Sequence, residues 1–184
     1  MNKINIWQVL LKHYKTMTDQ RGVTLRQDIF IHFFLPGIIS VVVCILYGTM
    51  KPSISAVFVN FGAITTALLM SAVIMIYDQK QKTIFKIADI IENKKPTTNL
   101  PALENNKKVY EQLCHNVAYA ILTSVILVIA SVIISFFPEK KETLELLYFS
   151  VPAFILSFIA YAAFFTTVIT FLMVIKRFSF ILDN

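Results

Sequence analysis

PSISAVFVNFGAITTALLMSAVIMIY, residues Pro52 to Tyr77, carries no charged side chain, and DQKQKTIFKIADIIEN, residues Asp78 to Asn93, follows it directly. The first part exceeds the roughly 18 apolar residues that read as a membrane-spanning helix. The second part is charged yet keeps a helical rhythm. Ile84, Ile87, Ala88 and Ile91 form an apolar stripe among Lys80, Lys82, Lys86 and Asp89. One helix is therefore expected to cross hydrocarbon and continue past it, until Pro96 closes the pattern.

Three further uncharged windows lie around this one: Ile29 to Met50, Gln112 to Pro138 and Leu146 to Ile175. Their uniform apolarity excludes a spanning β-barrel, whose strands would be about 10 residues long and would alternate in polarity. Composition agrees. The chain is 57% hydrophobic and 15% charged, whereas a soluble domain is about a quarter charged. A cleavable signal peptide is not expected, because Lys12, His13 and Lys15 interrupt the N-terminal stretch and the first long apolar run is too long for one.

The charges set the orientation. Short loops rich in Lys and Arg stay in the cytoplasm. Of the 17 such residues, all but Lys51, Lys140 and Lys141 fall before the first window, between the second and third, or after the fourth. Both termini and the central loop are thus expected inside, with short turns outside. The net charge of +6 is mostly this topology signal and a means of holding anionic headgroups. Direct nucleic-acid binding is not expected.

The expected fold is an all-α membrane protein of four transmembrane helices, with a cytoplasmic helical hairpin extending spans two and three. Residues 1–28 form a cytoplasmic amphipathic segment, 29–77 the first transmembrane hairpin and 78–111 the cytoplasmic hairpin loop. Residues 112–175 form the second transmembrane hairpin and 176–184 a cytoplasmic tail. Ile4, Trp7, Leu10, Leu11, Tyr14 and Met17 recur at helical spacing, which fits either an interfacial helix or one packed on the protein's own inner face. Gly22 should end it. Pro36 and Gly37 can kink span one. Pro101 suits a first helical position, with Leu103, Val109, Tyr110 and Leu113 leading into span three.

Residues able to carry chemistry are few. All four windows lack Asp, Glu, Lys and Arg, which disfavours a proton pump or ion-coupled transporter. There is no Gly-rich phosphate loop, HExxH pair, GxSxG elbow or CxxC motif, so no enzyme, catalytic residue, metal or cofactor is expected. Cys44 and Cys114 are expected toward opposite faces and not as a disulfide. His32 and His115 both fall at the inner interface and, with Cys114, leave a metal or pH-sensing site open beside the plainer reading of polar tips reaching water. Asn60 reads as a hydrogen bond inside the bundle or as a pore-lining group.

Two surfaces remain. Lys82, Phe85, Lys86, Lys94, Lys95, Lys107, Lys108 and Tyr110 make the central hairpin the candidate surface for a cytoplasmic protein partner, together with the N-terminal segment. Ala56, Asn60, Ala63, Ala67 and Ser71 form a stripe in span two suited to close helix packing, within the bundle or between copies in a homo-oligomer. Small residues recur in the other spans as Ser40 and Cys44, Ser124 and Ser131, and Ser157 and Ala160. The phenylalanines of span four, Phe154 to Phe171, are expected to face lipid.

The four spans, short outer turns and Lys82 to Lys108 hairpin resemble the KwaA family, the membrane subunit of Kiwa-type antiphage systems. The likeness covers most of the chain and is architectural, so it assigns no functional residue. It implies a homo-oligomer in the bacterial inner membrane that senses infection at the envelope and binds a cytoplasmic, DNA-binding partner subunit. The resulting expectation is a non-enzymatic anchor or sensor recruiting a soluble effector. An oligomeric pore is the competing class.

Overall fold

A computed structural model of the chain describes residues 6–17, 29–93, 96–137 and 147–182. Gly22, Lys94, Lys95 and the turn holding Lys140 and Lys141 lie outside the described residues. Among these residues five α-helices run in the order α1 (Ile6–Lys15), α2 (Leu35–Tyr47), α3 (Pro52–Glu92), α4 (Leu100–Ser135) and α5 (Leu147–Leu182). Four helical segments, α2 with the turn before it and then α3 to α5, are long and apolar enough to cross a membrane, which fits a multi-pass membrane protein.

Local chemistry sets the boundaries. Gly48 takes φ +72°, a left-handed conformation that glycine adopts without strain, and Pro52 opens α3. That turn is tied to α5, because the Met50 N–H donates to Ser157 Oγ at 2.9 Å. At the other end of α3, helix persists through the charged segment to Glu92, as its apolar stripe predicts. Beyond Tyr77 this adds about 15 residues, or roughly 20 Å. A 3-10 turn over Thr97–Asn99 leads into α4, with Pro101 in its first turn.

Span one opens with a π turn, Phe30–Phe34, in which the Leu35 N–H bonds to the carbonyl of Phe30 five residues back. Pro36 has no N–H to offer the carbonyl of His32, so the regular ladder cannot continue through it. α5 also runs past the Ile175 boundary expected for span four, carrying Lys176 and Arg177 on the helix and not on a separate tail.

α4 is the hub, packed against α3 and α5, while α2 packs against α5. Gly62 makes the α3–α4 contact close. A Cβ there would sit 2.6 Å from Val128 Cγ2 and 3.1 Å from the Ser124 carbonyl. One apolar cluster near the Gly48 turn centres on Phe58, Leu127 and Ala160; another, toward the lysine-rich end, centres on Leu69, Leu113 and Val117. Two hydroxyl pairs bridge helices, Thr66 to Ser124 at 2.7 Å and Thr167 to Thr123 at 2.9 Å. Each hydroxyl also donates to a backbone carbonyl three or four residues back on its own helix, so helices are joined without leaving a donor stranded in an apolar setting.

One packing expectation is narrowed and another corrected. Ala56, Asn60, Ala63, Ala67 and Ser71 are all exposed on the outside of α3, whose inward face is Ser55, Phe58, Gly62, Thr65, Leu69 and Ile76, so of the two roles open to the stripe the one within the bundle falls away. Among the described residues Asn60 makes no bundle hydrogen bond. The register differs by one position, Gly62 against Ala63, and close approach to α4 selects the glycine. The phenylalanines of span four are not mainly lipid-facing either. Phe164 stacks on Phe58 at 4.6 Å and meets Phe61 at 5.0 Å, and Phe158, Phe165 and Phe171 pack against the two clusters. Phe154 alone of that set is exposed.

Candidate functional site, a polar clamp at the lysine-rich end

α1 lies against α4 with His13, Thr16 and Met17 buried, while Trp7 and Leu11 stay exposed. Of the two arrangements the sequence left open, its inner face follows the packed one, and its outer face keeps an apolar surface suited to an interface. The buried face is polar for a reason found 103 residues away. Asn116 Oδ1 accepts from His13 Nδ1 at 2.9 Å and stands 2.7 Å from Thr16 Oγ1. Both His13 and Asn116 are fully buried.

The His13 ring stacks on Tyr119 at 3.8 Å and meets His32, from the π turn, at 5.9 Å between ring centres. From α5, Arg177 donates to the Thr16 carbonyl at 2.8 Å and to Gln112 Oε1 at 3.1 Å. That places a cation on a carbonyl just past the C-terminus of α1, where the helix leaves acceptors unsatisfied. Four separate segments meet in this clamp: α1, the π turn, α4 and α5.

Burial holds His13 neutral. Its pKa falls from 6.5 to about 4, chiefly by desolvation; the Asn116 bond opposes the shift, and the positive character of His32, Arg177 and His115 adds to it. His13 Nε2 and Asn116 Nδ2 are buried with no hydrogen-bond partner among the described residues. A neutral imidazole in this setting can fix one helix against another, and charging it would break the arrangement.

Among the described residues no group of three His, Cys, Asp or Glu side chains could hold a metal. His32 meets the ring of His13; the sequence leaves open an approach of His32 to His115 with Cys114 beside the plainer reading of polar tips reaching water. Both cysteines are free thiols. The polar residues His13 and Thr16 among the apolar positions of α1 were the available signal; that their partner is Asn116 was not readable from spacing.

On the hairpin, Lys82, Phe85, Lys86 and Lys108 are exposed, Lys107 is half-buried, and Tyr110 turns inward against the Leu113 cluster. Tyr110 is thus a packing residue. Lys80 and Glu111 form an ion pair at 3.1 Å across the base of the hairpin, and Lys82 pairs with Asp78 at 2.7 Å along α3. No family model, curated protein or solved structure matches the chain.

Proposed function

We propose that the protein is a non-enzymatic inner-membrane anchor and sensor subunit, with both termini and the α3–α4 hairpin in the cytoplasm, that recruits a soluble effector in antiphage defence. The observation that carries this reading is the hairpin. Two helices leave the apolar zone together and hold Lys82, Phe85, Lys86 and Lys108 outward on a braced scaffold. A mixed basic and aromatic surface of this kind suits an acidic protein face, because aromatic area supplies affinity while charge steers the encounter. The defence role comes from the resemblance to the KwaA family.

Recruitment is tested by purifying the chain in mild detergent after co-expression with its neighbouring genes. A soluble protein should co-purify and be lost from a Lys82→Glu/Lys86→Glu/Lys108→Glu variant that still folds. A chain that retains no cytoplasmic protein, or retains it equally in the variant, contradicts recruitment through this face.

Asn60 supports a second reading, an oligomeric pore, since it is an exposed amide within a span whose neighbours Ala56, Ala63 and Ala67 allow close approach of another copy. Planar-bilayer conductance separates the two. Ion passage that Asn60→Leu abolishes without loss of assembly would favour the pore, and silence from an assembled oligomer would favour the anchor.

A further inference from the structure

The π turn and the last turns of α5 enclose a groove of about 580 Å³. Ile169, Leu172, Met173, Lys176 and Arg177 line it from α5 at spacings of three, four, seven and eight, so they share one helix face. The wall changes character along its length. Apolar side chains occupy the part within the Leu146 to Ile175 window, and the two cations come immediately after it. His32, only 6% exposed, and Ile31 close the opposite side.

The groove therefore straddles the membrane boundary, apolar toward the hydrocarbon and basic toward the headgroups. Among the described residues no acidic side chain lines it. Arg177 is held in position by its bonds to Thr16 and Gln112, so one of the charges is preorganised before any ligand arrives. The volume falls within the roughly 300 to 1,000 Å³ of small-ligand sites. A soluble anion would leave the apolar wall unused, and a zwitterionic headgroup would bring a cation toward Lys176 and Arg177.

We infer that this groove binds one anionic phospholipid, its phosphate at His32, Lys176 and Arg177 and an acyl chain along Ile31 and Leu172. Basic pockets between transmembrane helices are a recurrent form of such sites. The site rests on the chain lying in a bilayer and does not depend on effector recruitment.

The full chain, delipidated in mild detergent, is titrated with phosphatidylglycerol and with phosphatidylcholine while native mass spectra and the melting temperature are recorded. Phosphatidylglycerol should leave one retained lipid per chain and raise the melting temperature by several degrees; phosphatidylcholine and millimolar inorganic phosphate should do neither. Lys176→Glu, which removes charge, and Met173→Trp, which fills the groove, should each weaken retention at least tenfold. Lys12→Glu, an equal charge change at the same end of the protein but outside the groove, should not. Equal responses to the two lipids, or equal losses in Lys176→Glu and Lys12→Glu, would overturn the assignment. So would a lipid-independent dimer that Met173→Trp disperses, because the groove would then take a second copy.

Discussion

Asn116 Oδ1 accepts a 2.9 Å hydrogen bond from His13 Nδ1, and this contact joins the N-terminal helix to the centre of the bundle. Nothing in α1 alone explains why its buried face carries His13 and Thr16. The explanation is the amide that α4 presents to them.

Replacing Asn116 by Leu strands the His13 ring N–H, while Thr16 keeps its 2.7 Å bond to the His13 carbonyl; the unmade bond should cost about 1 to 3 kcal/mol. Replacing both partners at once, His13→Leu with Asn116→Leu, should recover part of that loss, since two apolar side chains leave no unmade bond. Thermal unfolding of the two single variants and the double variant measures the coupling. Strictly additive losses would show that the bond does not hold α1.

Acidification tests the same contact by another route. Because the folded state holds the His13 pKa below its ordinary value, the contribution is complete above about pH 6.5 and is lost as pH falls through about 4. Its full size is of order 3 kcal/mol. His32 from the π turn, His115 from α4 and Arg177 from α5 all oppose the added proton. Trp7 is the single tryptophan and rides on α1, so its fluorescence reports whether the helix stays docked. Emission should change between pH 6.5 and 4 in the parent chain and much less in His13→Gln.

Two glycines should respond in opposite directions. Gly62→Ala forces Val128 and the Ser124 carbonyl to give way, and overpacking of this kind costs roughly 1 to 3 kcal/mol; Gly62→Leu should cost more. A Cβ on Gly37 meets nothing within 4 Å, so Gly37→Ala should be neutral or gain up to about 1 kcal/mol from helix propensity. Melting temperatures of the variants in one detergent settle the comparison. A harmless Gly62→Leu would mean that α3 and α4 do not pack through this face.

The sequence reveals the spans because lipid imposes a simple requirement: every long stretch in hydrocarbon must be helical and free of charge. Pro96 and Pro101 mark changes that local chemistry alone produces, and α3 ends and α4 begins beside them, whereas Tyr77 marks only the end of the uncharged stretch, through which the helix runs on. The face each helix presents is less legible. Ala56, Ala63 and Ala67 look as suitable for packing as Gly62, and only the fit to Ser124 and Val128 on α4 decides between them. The phenylalanines of α5 mislead for a related reason, since Phe164 is as apolar toward Phe58 as it would be toward an acyl chain. Hydropathy cannot separate a neighbour from a lipid. The clamp is the least readable part, because its partners come from four segments and no motif links His13 to Asn116 or His32.

Recruitment of a soluble effector requires the α3–α4 hairpin to face the cytoplasm. With Cys44→Ala and Cys114→Ala as background, a single Asn93→Cys substitution at the end of α3 can be probed with a membrane-impermeant maleimide. It should stay unlabelled in intact cells and label fully once the inner membrane is permeabilised. Full labelling of intact spheroplasts would put the hairpin outside and contradict the proposed anchor.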